Sequence, residues 1–454
     1  MSGPQVLVVG GGLAGVSAAA ALRQAGCGVC VVEREAAPGG RARGGERDGF
    51  RLDAAPFLVS ARERGLLGLV EAAGLAGRLL PLRPVSLAQL RRGRVEATPA
   101  AGRPLEAARI GGVRLREALR LGRLARLERR FRANLEPALP EAAARLDDRS
   151  AADFVRLYFG PSVWERWAEP ILASDLLADS AEASRAGFLL ARAARGEAPL
   201  ATLRGSPAAL AEALWSDADR LASEAQALAP AGGGLALAVR DGTVLRADAV
   251  VLALGAEPTW RIAAPLLLPA ERELLASARS APAIVLMAAL ETSPTRKATR
   301  LRVPGVEGLP LASVAVEPGG AGAPAPAGAA LLAAVATPAW SRAQLDAADG
   351  VVEKELMGEL ERIFPGVART LRFTALRRYA EALPRFDVGR YRALARLRTL
   401  QREERARGRR LYFAGDHWIA PTLEGAIASG QRAAAELCAD FGVERSKLGP
   451  VRAD

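Results

Sequence analysis

A short apolar run, a glycine-rich turn and an alanine-rich segment follow one another at the start of the chain. Val6–Val9 precedes Gly10-Gly11-Gly12-Leu13-Ala14-Gly15, Val16–Gln24 follows, and a second apolar run, Val29–Val32, ends at Glu33. The two apolar runs are continuous, which is typical of buried parallel strands. The pattern therefore predicts a βαβ unit whose first turn carries Gly-x-Gly-x-x-Gly, and with it a parallel α/β sheet.

The three glycines of the motif each have a steric role. Gly10 permits the tight turn, Gly12 lets the backbone approach a pyrophosphate, and Gly15 lets the helix pack close to the strand. The unpaired N–H groups at the helix start favour an anion. Glu33 is placed to accept hydrogen bonds from ribose hydroxyls and would repel a 2′-phosphate. The unit predicts a site for a dinucleotide other than NADP.

Composition sets outer limits on the architecture. The chain has 454 residues, half of them hydrophobic and a quarter charged, which predicts two or three globular domains. The longest apolar stretches, such as Ala281–Leu290, are far shorter than the roughly 20 residues of a membrane span. The N-terminus has no basic signal-like region, so we expect a cytoplasmic chain.

Cys27 and Cys30 are either buried thiols or a redox pair. The chain has a single histidine, His417, which excludes metal sites built from several histidines.

The formal charge of +12 does not indicate nucleic-acid binding, because the arginines are spread along most of the chain without a recognition motif. One dense cluster, Arg109–Arg132, alternates arginine with leucine at helical spacing. The sequence allows two interpretations of this segment. It is either a peripheral contact with an anionic membrane surface, such as the inner face of the membrane, or a solvated helix of an arginine-rich protein.

Further motifs after Glu33 carry a family resemblance. Gly39-Gly40-Arg41 and the run from Gly49 through Pro56 to Phe57 resemble the N-terminal signature of FAD enzymes of the flavin amine oxidase superfamily. That superfamily includes protoporphyrinogen oxidases, monoamine oxidases, and carotenoid and squalene-related desaturases. The resemblance implies that Gly39, Gly40, Arg41, Pro56 and Phe57 contribute to an FAD site.

The resemblance recurs near the C-terminus. Arg410–Phe413 reads as a strand that leads to Gly415-Asp416, and Pro421–Ala434 reads as a helix with its start. By resemblance, Asp416 binds the ribityl chain of FAD. The helix start, with Leu423 and Gly425, would place backbone N–H groups beside the flavin ring. We also expect adenine contacts from the backbone near Ala225-Gln226.

The resemblance implies a Rossmann-like FAD-binding domain of the glutathione-reductase type, a mixed α+β substrate domain, and a helical insertion that meets a membrane in some relatives. We expect the FAD-binding domain to comprise residues 1–80, 205–260 and 401–445. The helical insertion would comprise residues 81–204, the substrate domain residues 261–400, and a tail residues 446–454.

The implied activity is dehydrogenation of an apolar small molecule, with electrons passed to oxygen, a quinone or another acceptor. Protoporphyrinogen-oxidase-like and isoprenoid-desaturase-like activities are both open, with amine oxidation behind them and a non-catalytic lipid-binding protein as an alternative of another class. The chain shows no second dinucleotide fingerprint. Tyr391, His417, Trp418 and Thr422 are candidates for the flavin pocket, and Arg390 at the position of a flavin-linked cysteine implies non-covalent FAD.

Overall fold

The computed structural model describes residues 3–53, 58–81, 86–99, 104–136, 138–178, 182–195, 200–203, 208–215 and 220–443. The strands in this part of the chain are β1 (Gln5–Val9), β2 (Gly28–Glu33), β3 (Glu46–Arg47), β4 (Phe50–Arg51), β5 (Leu58–Ser60), β6 (Leu79–Pro81), β7 (Ser86–Arg91), β8 (Arg94–Ala97), β9 (Leu200–Leu203), β10 (Arg220–Ala222), β11 (Ala225–Ala231), β12 (Gly234–Val239), β13 (Val244–Ala247), β14 (Ala249–Leu252), β15 (Ser280–Leu290), β16 (Thr299–Arg302), β17 (Leu311–Pro318), β18 (Ala330–Ala336), β19 (Leu371–Pro384) and β20 (Leu411–Phe413).

The α-helices are α1 (Leu13–Gln24), α2 (Arg64–Ala72), α3 (Pro104–Ala107), α4 (Leu115–Arg120), α5 (Gly122–Arg130), α6 (Ala151–Tyr158), α7 (Pro161–Val163), α8 (Glu169–Leu176), α9 (Arg185–Arg195), α10 (Ala208–Leu214), α11 (Ala256–Ala263), α12 (Pro269–Ala276), α13 (Pro338–Ala343), α14 (Asp349–Ile363), α15 (Arg390–Ala406) and α16 (Leu423–Asp440). A π-helical turn, Trp164–Ala168, connects α7 to α8.

The predicted βαβ unit lies at the centre of a five-stranded sheet. Its order is β10-β2-β1-β14-β20, and all four pairings are parallel. Strand β14 pairs with β1, and β20, the strand before Gly415, pairs with β14. Strands from both ends of the chain form one sheet, and the turns that follow them meet at its carboxyl edge, where ligands bind in doubly wound folds.

Helix α16 packs directly on α1 because small residues allow the two backbones to approach. A Cβ atom at Gly430 would lie 2.1 Å from the carbonyl oxygen of Ala14. Val6 and Val8 of β1, Leu22 of α1 and Leu437 of α16 share one buried apolar cluster. The first and last helices thus cover the same face of the sheet, which fixes the glycine-rich turn relative to Asp416.

A second sheet of seven strands, in the order β19-β15-β18-β17-β16-β7-β8, forms the other large layer. Its pairings are antiparallel except for β16 with β7. One face packs against α14, whose Val352, Leu356 and Leu360 are fully buried. The opposite face lines a cavity described below. Together the two sheets give a mixed α/β architecture, with a parallel sheet that carries the glycine-rich turn and a larger, mostly antiparallel sheet beside it.

The middle of the chain differs from the expected helical insertion, residues 81–204, at two places. Residues 86–97 form the antiparallel pair β7–β8, and β9 pairs with β5 and β6. The β7–β8 pair adds to the edge of the seven-stranded sheet through β16. Leu90 and Ala88 are buried in the core of that sheet, so a distant partner strand, rather than local propensity, decides their conformation. No helix in the described ranges has the length and apolar character required to cross a bilayer.

Candidate cofactor site and cavity

The glycine-rich turn has the geometry that its sequence predicts. Gly10 adopts a φ of +110°, and its N–H donates to the carbonyl of Val32 at 2.8 Å. A Cβ atom at Gly15 would lie 1.9 Å from the carbonyl oxygen of Gly10, so only glycine lets α1 approach β1 this closely. At Gly12, in contrast, a Cβ atom would meet nothing within 4 Å. That free space belongs to a large cavity, which Gly10, Gly12, Leu13 and Ala14 line, whereas Gly11 and Gly15 lie behind this lining.

Glu33 and the second glycine turn complete this end of the cavity. The Glu33 carboxylate accepts hydrogen bonds from the N–H groups of Gly11, at 2.5 Å, and Glu35, at 2.9 Å. Gly39 donates to the carbonyl of Gly11 at 2.8 Å, which joins the two glycine turns. Gly39 and Gly40 have φ values of +112° and +52°, conformations that favour glycine. Glu33, Gly39 and Gly40 all line the cavity.

Arg41 connects the N-terminal motif to the C-terminal one. Its Nη2 atom lies 2.8 Å from Oδ2 of Asp416, and its Nη1 atom donates to the carbonyl of Ala382 in β19 at 2.7 Å. Burial alone would raise the pKa of Asp416, but the Arg41 guanidinium and the His417 side chain lower that pKa to about 2. Asp416 is therefore an ionised acceptor at the cavity wall at neutral pH.

The start of α16 forms the next part of the wall. Thr422 is the N-cap residue, and its hydroxyl accepts a hydrogen bond from the N–H of Gly425 at 2.9 Å. Thr422 and Leu423 line the cavity, and Gly425 lies behind them. A Cβ atom at Gly425 would lie 2.2 Å from the carbonyl oxygen of Ala420, which requires glycine there. Glu424 turns the other way and accepts hydrogen bonds from the N–H groups at the start of α2.

Three predicted pocket residues are buried outside the cavity lining. Tyr391 packs against Phe386 with ring centroids 5.0 Å apart, and Trp418 packs against Phe413 at 4.8 Å. His417 lies behind Asp416, with Nδ1 3.9 Å from Oδ1 of Asp416. Burial is the main cause that lowers the pKa of His417, so its imidazole is neutral at pH 7. The structure therefore puts these side chains in the core.

Arg390 and Gln226 also lie outside the cavity lining. Arg390 does not line the cavity; it begins α15 and donates to the carbonyls of Leu274 and His417. Gln226 itself is exposed on β11, where a bulge separates Ala225 from Ala227, but its neighbour Ala225 lines the cavity together with Ser223 and Glu224. Pro56 and Phe57 lie outside the described residues.

The cavity has a volume of about 2210 Å³ and extends from the glycine turns to the seven-stranded sheet. Sequence reasoning missed most of its far wall. The wall is made by small or apolar residues of the sheet together with polar residues at its two sides, among them Asp53, Gln89, Ala283, Val285, Arg300, Arg302, Ala315, Ala333, Val335 and Tyr379. Alternation along the strands was the available signal, but it does not indicate which of two faces borders a cavity.

The fold and these turns define a protein that holds an extended dinucleotide between the two ends of its chain. A family model described as flavin-containing amine oxidoreductase matches residues 13–438. The chain therefore belongs to the flavin-containing amine oxidoreductase family, and FAD is its cofactor.

Known proteins similar to this chain fall into two groups. Among curated proteins, a carotenoid phi-ring synthase of Streptomyces griseus is 32% identical over 289 residues, which cover 58% of this chain and 54% of that protein. A phytoene dehydrogenase of the same organism is 54% identical over 55 residues, or 12% of this chain and 11% of that protein. The chain thus spans about half the length, or less, of these curated relatives.

Among solved structures, cyclohexylamine oxidase from Brevibacterium oxydans IH-35A has a TM-score of 0.73 at 18% identity, covering 97% of this chain and 100% of the other. Putrescine oxidase bound to putrescine has a TM-score of 0.75 at 19% identity, covering 96% and 99%. A proposed protoporphyrinogen oxidase from Exiguobacterium sp. 255-15 has a TM-score of 0.74 at 18% identity, covering 96% and 99%. At these identities the likeness establishes the fold.

The residues present fit FAD. The free space above Gly12 gives a pyrophosphate access to the backbone at the start of α1. Glu33 and the ionised Asp416, which both line the cavity, would supply acceptors for hydroxyl groups of the cofactor. Arg41 adds a cation between the two glycine turns and Asp416. The spacing of these groups along one continuous cavity suits a long cofactor in an extended pose.

Proposed function

We propose that this protein is an FAD-dependent oxidoreductase that dehydrogenates an apolar small molecule, in the manner of protoporphyrinogen oxidases or isoprenoid desaturases. The observation that carries the proposal is the cavity. Beyond Asp416 and Thr422 it continues along the small and apolar residues Ala283, Val285 and Val335 of the seven-stranded sheet. The curated relatives named above, which include a phytoene dehydrogenase, support an apolar substrate.

For the cofactor, we assign the turn from Gly10 to Gly15 to the pyrophosphate, Glu33 to the adenosine ribose, and Asp416 to the ribityl chain. Ser223–Ala225 would border the adenine. Gly39, Gly40 and Arg41 would contact the middle of the cofactor, and Thr422 and Leu423 the flavin ring. These assignments rest on the resemblance of the two motifs to those of the family and on the position of these residues around one cavity.

The chain's own residues have a limited chemical task. When bound, FAD supplies a two-electron acceptor that takes a hydride from a C–H bond of the substrate. The protein must orient that bond and exclude water, which a deep cavity between a sheet and a helical layer does. The non-covalent attachment predicted from the sequence remains part of this proposal. The electron acceptor, either oxygen, a quinone or another oxidant, is open.

Amine oxidation is the second candidate, and the solved amine oxidases of this fold favour it. Among the described residues, Trp167 and Tyr379 are the aromatic side chains that line the cavity. Tyr391, which the sequence offered as part of an aromatic cage, is buried in the core instead. A non-catalytic lipid-binding protein is the candidate of another class, and the fit of the glycine turns and Asp416 to FAD speaks against it.

The substrate route involves the surface around Arg109–Arg132. Leu105, Leu115 and Leu119 are 74%, 62% and 56% exposed, and exposed arginines lie between them. Ala125, Glu128 and Arg129 on one side of α5 line the cavity. We propose that this region rests on an anionic lipid surface, from which an apolar substrate enters. Co-sedimentation with phosphatidylglycerol vesicles tests it. Leu115→Ser with Leu119→Ser should reduce binding, whereas Leu400→Ser, at an exposed leucine of α15, should not.

The test of the activity is anaerobic mixing of the FAD-loaded protein with a porphyrinogen, with phytoene in detergent, and with primary amines. Loss of the flavin absorbance with a porphyrinogen or a polyene supports the proposal. Bleaching by amines alone contradicts it and favours amine oxidation. Protein that lacks flavin absorbance even after FAD is added would favour the lipid-binding alternative.

A further inference from the structure

The cavity wall formed by the seven-stranded sheet changes in character from one strand to the next. At the β19 side it carries Arg377, Tyr379 and Leu383, beside the cofactor site. The middle strands contribute Val285, Val335 and Ala333, which are small or apolar. At β16 the wall becomes polar, because Arg300 and Arg302 line it, while Leu301 between them also belongs to the buried apolar cluster of the sheet. The wall therefore has an apolar middle, and a pair of arginines lies at its β16 end.

The sheet order gives the length of the apolar part. β19 adjoins the cofactor site, because Arg41 donates to the carbonyl of Ala382 while it pairs with Asp416. β16 is the fourth strand along from β19. Neighbouring strands lie about 4.8 Å apart, so the arginine end is roughly 19 Å from the strand beside the cofactor. A ligand that spans the cavity has its two ends in different chemical environments.

The arginines of the far end are only partly satisfied. Arg302 donates from Nε to Ser174 Oγ at 3.1 Å, and its Nη2 lies 3.4 Å from Asp175 Oδ2. Arg300 pairs with Glu317, yet its buried Nε atom has no acceptor among the described residues. Arg166 adds a third guanidinium that lines the cavity, and it pairs with Glu307 at 2.5 Å.

Of the described carboxylates that pair with these three arginines, only one lines the cavity. Asp175 belongs to the lining, but Glu307 and Glu317 lie behind it. Guanidinium groups therefore face the cavity more than carboxylates do. A purely apolar ligand end placed there would remove water from these donors without replacing its hydrogen bonds, which is unfavourable. A carboxylate would accept from them, and arginine forks match carboxylates geometrically.

We propose that the ligand of the far end is a carboxylate carried at one end of an elongated apolar molecule. Arg300 and Arg302 hold the carboxylate, and the apolar body lies along the middle strands towards the cofactor. This inference rests on the proposed function, because it names the class of the apolar substrate. It makes Arg300 and Arg302 residues that set substrate specificity and orientation.

Binding of two matched probes to the FAD-loaded protein tests this. Retinoic acid and retinol share an apolar body and differ in the end group, and both are titrated by calorimetry at pH 8. We expect the acid to bind at least tenfold more tightly. Arg300→Gln and Arg302→Gln should remove that preference, and Arg362→Gln, an exposed arginine of α14 outside the cavity, should keep it.

Equal affinity for the two probes in the unsubstituted protein, or an unchanged preference in both cavity variants, would overturn the inference. If Arg300→Gln fails to fold, as judged by its melting temperature, Arg302→Gln and Arg302→Lys decide the matter alone. Binding is measured without turnover. An acid preference with no flavin bleaching by any candidate therefore contradicts the proposed activity only, and bleaching without an acid preference contradicts this inference only.

Discussion

Nη2 of Arg41 lies 2.8 Å from Oδ2 of Asp416, although Arg41 follows the second strand of the chain and Asp416 precedes its last helix. The pair closes the cavity wall between the glycine turns and the start of α16. Because Arg41 also holds the carbonyl of Ala382, the same guanidinium joins the parallel sheet to the seven-stranded sheet. The two sequence motifs that indicated one cofactor therefore meet directly.

Asp416→Ala should weaken FAD binding. The substitution removes an ionised acceptor and leaves Arg41 without its carboxylate partner. A hydrogen bond to a charged group contributes roughly 1.5–3 kcal/mol, which corresponds to about a 10- to 100-fold higher Kd for FAD. Titration of apo-protein, followed by flavin fluorescence, measures it. Glu359→Ala, which removes a carboxylate from an ion pair on α14, is the matched control and should leave the Kd unchanged. A Kd within twofold of the original for Asp416→Ala would contradict the assignment.

Gly12→Ala and Gly15→Ala should have different effects on the same turn. Gly12 has an ordinary φ of −69° and open space at its Cβ position, so the alanine variant should fold normally and lose FAD affinity. At Gly15 the new Cβ would strike the Gly10 carbonyl, so this variant should lower the melting temperature of the apo-protein as well.

Thermal unfolding of the apo-forms and FAD titration separate the two effects. Gly350→Ala, at a helical position in α14 with no atom within 4 Å of the added Cβ, controls for the substitution itself. If Gly12→Ala melts as early as Gly15→Ala, the open space at Gly12 is not real. If Gly12→Ala retains full FAD affinity, the pyrophosphate does not approach this residue.

Local sequence reasoning succeeded where one short segment determines its own geometry. Gly10, Gly12 and Gly15 lie within a single turn, so their spacing alone predicts the close approach of helix and strand. Thr422 was likewise identifiable because an N-cap residue bonds to an N–H only three positions later. The family resemblance supplied Asp416, whose partner Arg41 is distant in sequence.

Reasoning failed where distant packing decides the environment. Tyr391 and Trp418 were aromatic residues close to recognised motifs, but the helices packed around them bury both in the core. Gln226 is the extra residue of a bulge between Ala225 and Ala227, so its neighbour Ala225, and not Gln226 itself, lines the cavity. Arg300 and Arg302 were missed because the sequence does not show that β16 borders the same cavity as the glycine turns.

Glu33→Ala should lower FAD affinity by a comparable amount, about 1.5–3 kcal/mol for charge-assisted bonds to a ribose. The carboxylate also accepts hydrogen bonds from Gly11 and Glu35, so the substitution loosens the turn that it supports. Glu33→Gln keeps an acceptor but removes the charge. We therefore expect its FAD affinity to lie between that of the unsubstituted protein and that of Glu33→Ala. Unchanged FAD retention on gel filtration by Glu33→Ala would contradict the role. Glu359→Ala, on α14 and outside the cavity lining, is the control.

Glu424 should make stability depend on pH between about 4.5 and 7. Burial raises the pKa of Glu424 to about 7 from an ordinary 4.5, against the opposing hydrogen bonds from Gly65 and Leu66. The folded state then binds more protons than the unfolded state in this window. The contribution of this group to stability is therefore present below pH 4.5 and is lost as the pH rises through about 7. Glu424→Gln should remove that decline from the free energy of unfolding.

Glu361 is the control, because its pKa is shifted in the direction opposite to that of Glu424. Its carboxylate also accepts two backbone hydrogen bonds, from Gly366 and Ala368, and these bonds lower its pKa. Its contribution is present above its ordinary pKa and is lost as the pH falls, so Glu361→Gln should destabilise the protein more at neutral than at acid pH. Urea unfolding compares each variant with the unsubstituted protein, at pH 5 and pH 8 for Glu424→Gln and at pH 3 and pH 8 for Glu361→Gln. If the Glu424→Gln difference does not change between these pH values, Glu424 is ionised throughout and its two N–H donors outweigh its burial.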